Sequence, residues 1–197
     1  MRKSRKRKST TPKKVKRVAL IALAVWLGFV LIYRFVAPPL TPLMLIRRVQ
    51  AAWDNRPTYR AWEWIPLRAL PAYVPQAIVT AEDARFVEHW GVDFGAVSDA
   101  LTSSGESSRV RGASTITMQT VKNLFLWPGR SYIRKIFEWL MSPIAGTIWG
   151  KRRTLELYIN IIEWGEGIYG LQSAARHYFK VNAAQLSRNQ AAALAAI

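Results

Sequence analysis

The sequence predicts a mainly helical protein: one transmembrane helix near the N-terminus, then a helical domain. Three observations lead there. A run of about twenty residues, Val18 to Ala37, carries no charge before Arg34, roughly the length that crosses a hydrocarbon core. Beyond Pro75 the apolar residues recur at helical spacing almost throughout, and no alternating strand of useful length interrupts them. The 197 residues hold no cysteine, which excludes a disulfide framework and a thiolate metal site. Half the residues are apolar, enough for one ordinary domain with a sizeable core.

The net charge of +17 is unevenly spread. Met1 to Arg17 carries ten Lys/Arg and no acid, and the rest of the chain sets nineteen Lys/Arg against twelve Asp/Glu, a net of about +7. No aromatic residue is interleaved in that tail. A nucleic-acid arm is therefore disfavoured, and no nucleic-acid partner is expected. The tail's place directly before the apolar run marks it as the cytoplasmic flank of a span, in contact with anionic lipid. Val18 to Ala37 exits into Pro38-Pro39 with no small-residue cleavage site, as a retained anchor does and a signal peptide does not. The chain beyond Pro39 is then expected outside the cytoplasmic membrane.

Residues 38–74 read as a connector. It is rich in proline and in the aromatics Trp53, Tyr59, Trp62 and Trp64, with a helix near Leu43 to Trp53. The domain is expected over 75–197, with helices at about Pro75 to Trp90, Phe94 to Ser103, Thr117 to Leu126, Tyr132 to Gly150, Arg152 to Trp164, Gly170 to Phe179 and Ser187 onward. Pro143 is expected to bend or break its helix. Ser187-x-x-Gln190 has the form of a capping box for the last one. That helix runs into an uncapped, Ala-rich end at Ile197, as if the natural domain continued. Ile136, Phe137, Leu140, Met141, Ile144 and Trp149 form an apolar face that reads mostly as core, with lipid contact as the other reading.

The chemistry-bearing residues fall in two groups. On a helix through TAEDARFVEHWG, Glu82 lies along the stripe of Ile78 and Phe86, whereas Asp83 and Arg85 turn elsewhere. Partial burial there would bring a carboxylate toward the range of a base at neutral pH; a plain ion pair satisfies the same spacing. His89 comes next, and two histidines in the whole chain make a metal triad improbable. The second group begins at Gly112-Ala113-Ser114-Thr115, small residues before a helical run, whose N–H groups can face an anion. Gln119, Lys122 and Asn123 share a polar stripe; Met118, Val121 and Phe125 share an apolar one. Arg134 and Lys135 precede Glu138 by four and three residues, a spacing open to a surface ion pair or to a cationic clamp with its acid partner. Clustered cations, a carboxylate and a membrane span together point to a phosphate-bearing lipid substrate.

The ordered set AEDARFVEHWGVD, RGASTITMQTVKNLF, RKIFE and KRRTLELYINIIEWGEGIYG resembles the peptidoglycan glycosyltransferase family, shared by class A penicillin-binding proteins and monofunctional biosynthetic transglycosylases. The tail and single span resemble the monofunctional branch. The resemblance implies a lysozyme-like helical lobe with a smaller membrane-associated one, and polymerisation of lipid II onto a growing glycan strand at the inner membrane. It assigns Glu82 as catalytic base and Glu138 as second acid. Lys122, Arg134 and Lys135 would meet the donor pyrophosphate; Ser114, Thr115, Gln119 and Asn123 would line the cleft. Asp83, Phe86 and His89 of the first motif are counted with the substrate-binding residues. Lys151, Arg152, Glu156, Tyr158 and Asn160 fall in a fourth motif taken as mainly architectural. Two positions depart from the family pattern: Ala113 stands where a second Gly is common, and Met118 where a Gln is.

The reaction so implied is an inverting transfer. A diphosphate leaves as a stable anion, so one base plus a cationic cluster suffices, whereas a glycoside hydrolase protonates a poor leaving group with paired carboxylates. No tightly bound cofactor or protein metal site is expected; a divalent cation such as magnesium would come with the substrate diphosphate. Membrane lipids and other wall-synthesis or division proteins are the expected partners. Two other classes keep the same features: a lytic enzyme cleaving finished glycan, and an inert membrane-anchored scaffold.

Overall fold

The computed structural model describes residues 11–55, 62–102, 114–129 and 131–197. The architecture is mainly α. Helix α1 spans Thr11–Phe35, and its 23-residue Lys13–Phe35 stretch, with a mean hydropathy of 2.3 over its most apolar 18-residue window, is long and apolar enough to cross a membrane. Helix α2, Pro42–Trp53, is where the sequence places it: Thr41 caps it by accepting from the Met44 N–H at 3.2 Å, and Pro42 takes the first turn.

The domain then runs through α3 (Tyr73–Glu82), α4 (Phe94–Thr102), α5 (Ile116–Phe125), α6 (Tyr132–Ile161), α7 (Leu171–Phe179) and α8 (Arg188–Ala195). A short antiparallel hairpin, β1 (Glu163–Gly165) and β2 (Ile168–Tyr169), which helical periodicity does not predict, sits between α6 and α7. The expected capping box at Ser187 and Gln190 opens α8. Helix α6 is two helices joined at Gly150, whose φ of 70° and ψ of 167° are readily adopted by glycine alone. The break thus falls at Gly150, between the two helices expected here, and not at Pro143.

Two apolar clusters hold these elements. One gathers Val74 and Ile78 of α3, Leu155 and Ile159 of α6, Leu171 and Ala174 of α7, and Ala191 and Leu194 of α8. The other gathers Val121 and Leu124 of α5, Ala145, Trp149, Leu157 and Ile161 of α6, and Val30 of α1. The second half of α6 faces both, so it is the central beam, and each large aliphatic side chain it buries contributes about 1.5–3 kcal/mol. Asn160, fully buried on that beam, clasps the connector. Its side chain accepts from Ile65 N–H at 2.8 Å and donates to Ile65 C=O at 2.9 Å, while its own carbonyl accepts from Trp62 Nε1 at 2.6 Å.

The end of α1 is built into the domain. Trp149 Nε1 donates to Val30 C=O at 2.8 Å, and the Arg153 guanidinium donates to the carbonyls of Tyr33 (2.8 Å) and Val36 (2.7 Å). A cation on the last carbonyls of a helix satisfies groups that have no partner within it. Phe125 stacks on Tyr33 and Trp149, with ring centroids 6.0 and 6.3 Å apart, and meets Trp26 edge-on.

The first half of α6 reverses one expectation. Its buried face is Glu138, Ser142, Ala145 and Gly146, a helical stripe of small and polar residues, ending in Trp149, which is core as expected. Ile136, Phe137, Leu140 and Ile144, expected mostly as core, are exposed, as are Ile133 and Tyr132; Met141 is half-buried. Sequence cannot tell a stripe facing core from one facing lipid, because both are apolar. Exposure of this apolar face beside α1 is what the lipid-contact reading calls for.

Candidate functional site

Helix α3 ends at Glu82, well short of the expected Trp90, because the next residue offers a stronger set of bonds than a helix would. Asp83, 8% exposed, accepts from Ile116 N–H at 2.9 Å through one carboxylate oxygen and pairs with His89 Nε2 at 2.9 Å through the other. An acid on a free N–H of the first turn of α5 satisfies an orphan donor and the positive end of the helix dipole. Thr115 completes the joint: its hydroxyl accepts from Met118 N–H (3.1 Å) and donates to Gly91 C=O (2.5 Å). Gly91 has φ 136°, and a Cβ there would lie 2.6 Å from the Ser142 backbone, so the loop sits directly on α6.

Lys151, just past the Gly150 break, donates from Nζ to the carbonyls of Phe86 and His89 and stands 4.5 Å from the Phe86 ring centroid. Burial holds its ammonium below the ordinary lysine range, with the Asp83 charge pulling the other way. The 83–91 loop is thus tied to α5 and α6, which fixes Glu82 against α5. Glu82 itself is exposed, so the partial burial expected of it is absent. The helix ends there, and the carboxylate leaves the Ile78 stripe for solvent.

Its side chain faces a cavity of about 600 Å³ whose lining includes Glu82, Gln119, Lys122, Asn123 and Tyr158, together with Arg47 and Glu163. Gln119 Nε2 donates to Glu82 Oε2 at 2.7 Å. Met118, where the family pattern has another Gln, is fully buried in α5, as its place on the apolar stripe predicts. Asn123 is mostly buried, its Nδ2 returned to Gln119 C=O at 2.9 Å.

The cations form one cluster. Arg134 donates to Glu138 Oε1 and, from Nε, to Gly129 C=O at 3.0 Å; Lys135 Nζ lies 3.2 Å from Glu138 Oε2 and donates to Ser114 Oγ at 2.7 Å. Glu138 is 2% exposed, and both of its oxygens are taken by cations. Of the two readings of this spacing, the plain surface ion pair does not fit an acid so deeply buried. Burial first, then the charge of Arg134, holds the ammonium of Lys122 below the usual lysine range, with Glu82 pulling it back up. Lys135 is lowered likewise by burial, Arg134 and Lys122. Cations that depress one another in this way form a site that an anion relieves. Glu138, with its oxygens committed to nitrogen donors, does not fit a metal ligand, and no group of three His, Cys, Asp or Glu suited to a metal occurs among the described residues.

The predicted residues therefore divide. Glu82, Gln119, Lys122 and Asn123 share the cavity, and Arg134, Lys135, Glu138 and Ser114 form the cationic cluster beside Lys122. Asp83, Phe86, His89 and Thr115 lie behind the cavity wall and hold its loop. Gly112 and Ala113 lie outside the described residues. Sequence reasoning missed Tyr158, Arg47 and Glu163. Only Tyr158 left a signal, one hydroxyl within the apolar run LELYINII.

Known proteins resemble this chain in sequence. The family model described as Transglycosylase matches residues 49–197. A biosynthetic peptidoglycan transglycosylase of Caulobacter vibrioides is 47% identical over 85% of this chain and 71% of its own length. Proteins of the same description are 42% identical in Bdellovibrio bacteriovorus, over 98% of this chain and 77% of theirs, and 46% identical in a Marinomonas strain, over 92% and 78%. With a helical domain, a cationic cleft and a docked apolar helix already in place, these matches show that the chain belongs to the transglycosylase family.

Proposed function

We propose that this membrane-anchored glycosyltransferase polymerises lipid II by an inverting displacement with Glu82 as base. The 4-hydroxyl oxygen of the acceptor GlcNAc attacks C1 of the donor MurNAc. As the O4–C1 bond forms, the hydroxyl proton passes to the Glu82 carboxylate. The bond from C1 to the lipid diphosphate breaks on the opposite face, and the diphosphate departs as an anion toward Lys122, Arg134 and Lys135. Glu82 then returns its proton to water. A fixed cationic cluster stabilises charge as it develops on the leaving group, which is where such electrostatics act most strongly.

The observation that carries this reading is that Glu82 and Lys122 line one cavity, with the cationic cluster continuing from Lys122. Glu138 supports transfer over hydrolysis. A lytic enzyme needs a second carboxyl group able to protonate the leaving oxygen, and Glu138 has neither a free oxygen nor access to the cavity. Any divalent cation would arrive on the substrate diphosphate, outside the protein's own carboxylates, and no step is assigned to it.

The basic tail supports a cytoplasmic N-terminus, with the catalytic domain on the outer face of the bacterial inner membrane. There the exposed face of α6 rests in lipid beside the substrate's polyprenyl chain. The test is incubation of the protein in detergent with labelled lipid II. A ladder of glycan products is expected; shortening of preformed glycan would favour a lytic enzyme, and no product at all a scaffold.

A further inference from the structure

Tyr158 sits on the central beam, 1% exposed, with its hydroxyl at the wall of the catalytic cavity. Its O–H donates to Gln119 Oε1 at 3.4 Å. Gln119 in turn gives its amide nitrogen to Glu82 Oε2 at 2.7 Å. The phenol on α6 therefore fixes which end of the α5 carboxamide faces a carboxylate that its own helix leaves exposed.

We infer that Tyr158 is a positioning residue for the proposed base: through Gln119 it holds the Glu82 carboxylate in one orientation toward the acceptor hydroxyl. The inference rests on the reading of Glu82 as base. An exposed glutamate at a helix end has several rotamers, and fixing one removes that entropy from the reacting complex. The donor type suits the task. Burial, reinforced by the charges of Glu82 and Asp83, pushes the phenol well above its ordinary range, so Tyr158 keeps its proton throughout the working pH range. A lysine in its place would bind the carboxylate as a counter-ion and hold it back from taking a proton; a neutral phenol orients it without that competition. The ring is packed among Ile78, Leu155 and Leu171 in the core, so the hydroxyl is set by the fold rather than by substrate.

The test is a kinetic cycle on the full chain with lipid II. Tyr158→Phe keeps the packed ring and is expected to lower kcat about 10-fold, with KM and melting temperature unchanged. In a Glu82→Asp background, where the shortened acid no longer reaches the Gln119 amide, the same change is expected to cost less than about 2-fold. A normal kcat for Tyr158→Phe, a loss confined to KM, or an equal loss in both backgrounds overturns the inference. Glu82→Gln separates the two levels. If Glu82→Gln is inactive while Tyr158→Phe is normal, only the positioning role falls. If Glu82→Gln keeps its rate, the base assignment falls and the inference with it.

Discussion

Glu82 closes a short helix in solvent, its carboxylate held by a carboxamide; Glu138 lies inside α6, 2% exposed, with a guanidinium and an ammonium on its two oxygens. Both were expected to serve the reaction, but only Glu82 lines the cavity. What separates them is the charge of their partners. Neutral donors orient a carboxylate and leave its negative charge available to take a proton; cations use that charge up. Glu138 therefore acts through Arg134 and Lys135, holding two positive groups side by side that would otherwise repel each other. Breaking a buried pair of this kind by removing one member leaves an uncompensated charge, which costs far more than an exposed ion pair is worth.

The largest expected effect is at Glu82. Glu82→Gln keeps the hydrogen-bonding shape and removes the acceptor of the proton, so polymer formation from lipid II should fall by roughly 10³-fold or more, with circular dichroism and melting unchanged. A rate near that of the parent would erase the distinction between the two acids. Next comes the clamp. Arg134→Ala combined with Lys135→Ala should raise the KM for lipid II about 100-fold, since two charge-assisted contacts to the diphosphate are lost; unaltered donor affinity would show that the cluster serves folding alone.

Glu138→Gln sharpens the comparison directly. It is expected to raise donor KM about 10-fold and to lower stability by about 1–3 kcal/mol in denaturant melts, while kcat at saturating lipid II stays within about 3-fold. If kcat instead collapsed as for Glu82→Gln, Glu138 would have to take part in proton transfer. The smallest effect concerns pH. Lys122 and Lys135 are held below the ordinary lysine range by burial and then by Arg134, so they lose their charge earlier as pH rises. Affinity for the diphosphate should therefore fall on the alkaline side sooner than an ordinary lysine would allow. Arg134→Gln removes a depressing charge and should move that limb to higher pH even as it weakens binding overall; titration of a non-hydrolysable donor analogue at several pH values measures both.

Much of the fold is legible in the sequence because local signals agree with the packing. Thr41 with Pro42, Ser187 with Gln190, and the glycine at 150 each announce a helix boundary in residues that have a physical reason to be there. The site is legible as a set of residues but less so as an arrangement. Spacing puts Glu82 on an apolar stripe only if α3 continues past it, and what stops α3 is the bond of Asp83 to an N–H thirty-three residues away, which no local pattern contains. The apolar face of α6 misleads for a related reason. Its inward side is Ser142, Ala145 and Gly146, small enough for the 83–91 loop to lie close against it. A hydrophobicity count favours the bulkier side, which faces outward. Tyr158 looks architectural because most of it is: the ring is core and a single oxygen belongs to the site.

The way Arg153 and Trp149 grip the final turns of the first helix fixes the height of the cleft. With α1 rising 1.5 Å per residue, Val30 lies about 7.5 Å from the end of that helix at Phe35, and these bonds hold the domain at a set distance from it. Under the proposed function an enzyme so mounted does not follow its product: each elongated strand slides away while the catalyst stays with its first helix.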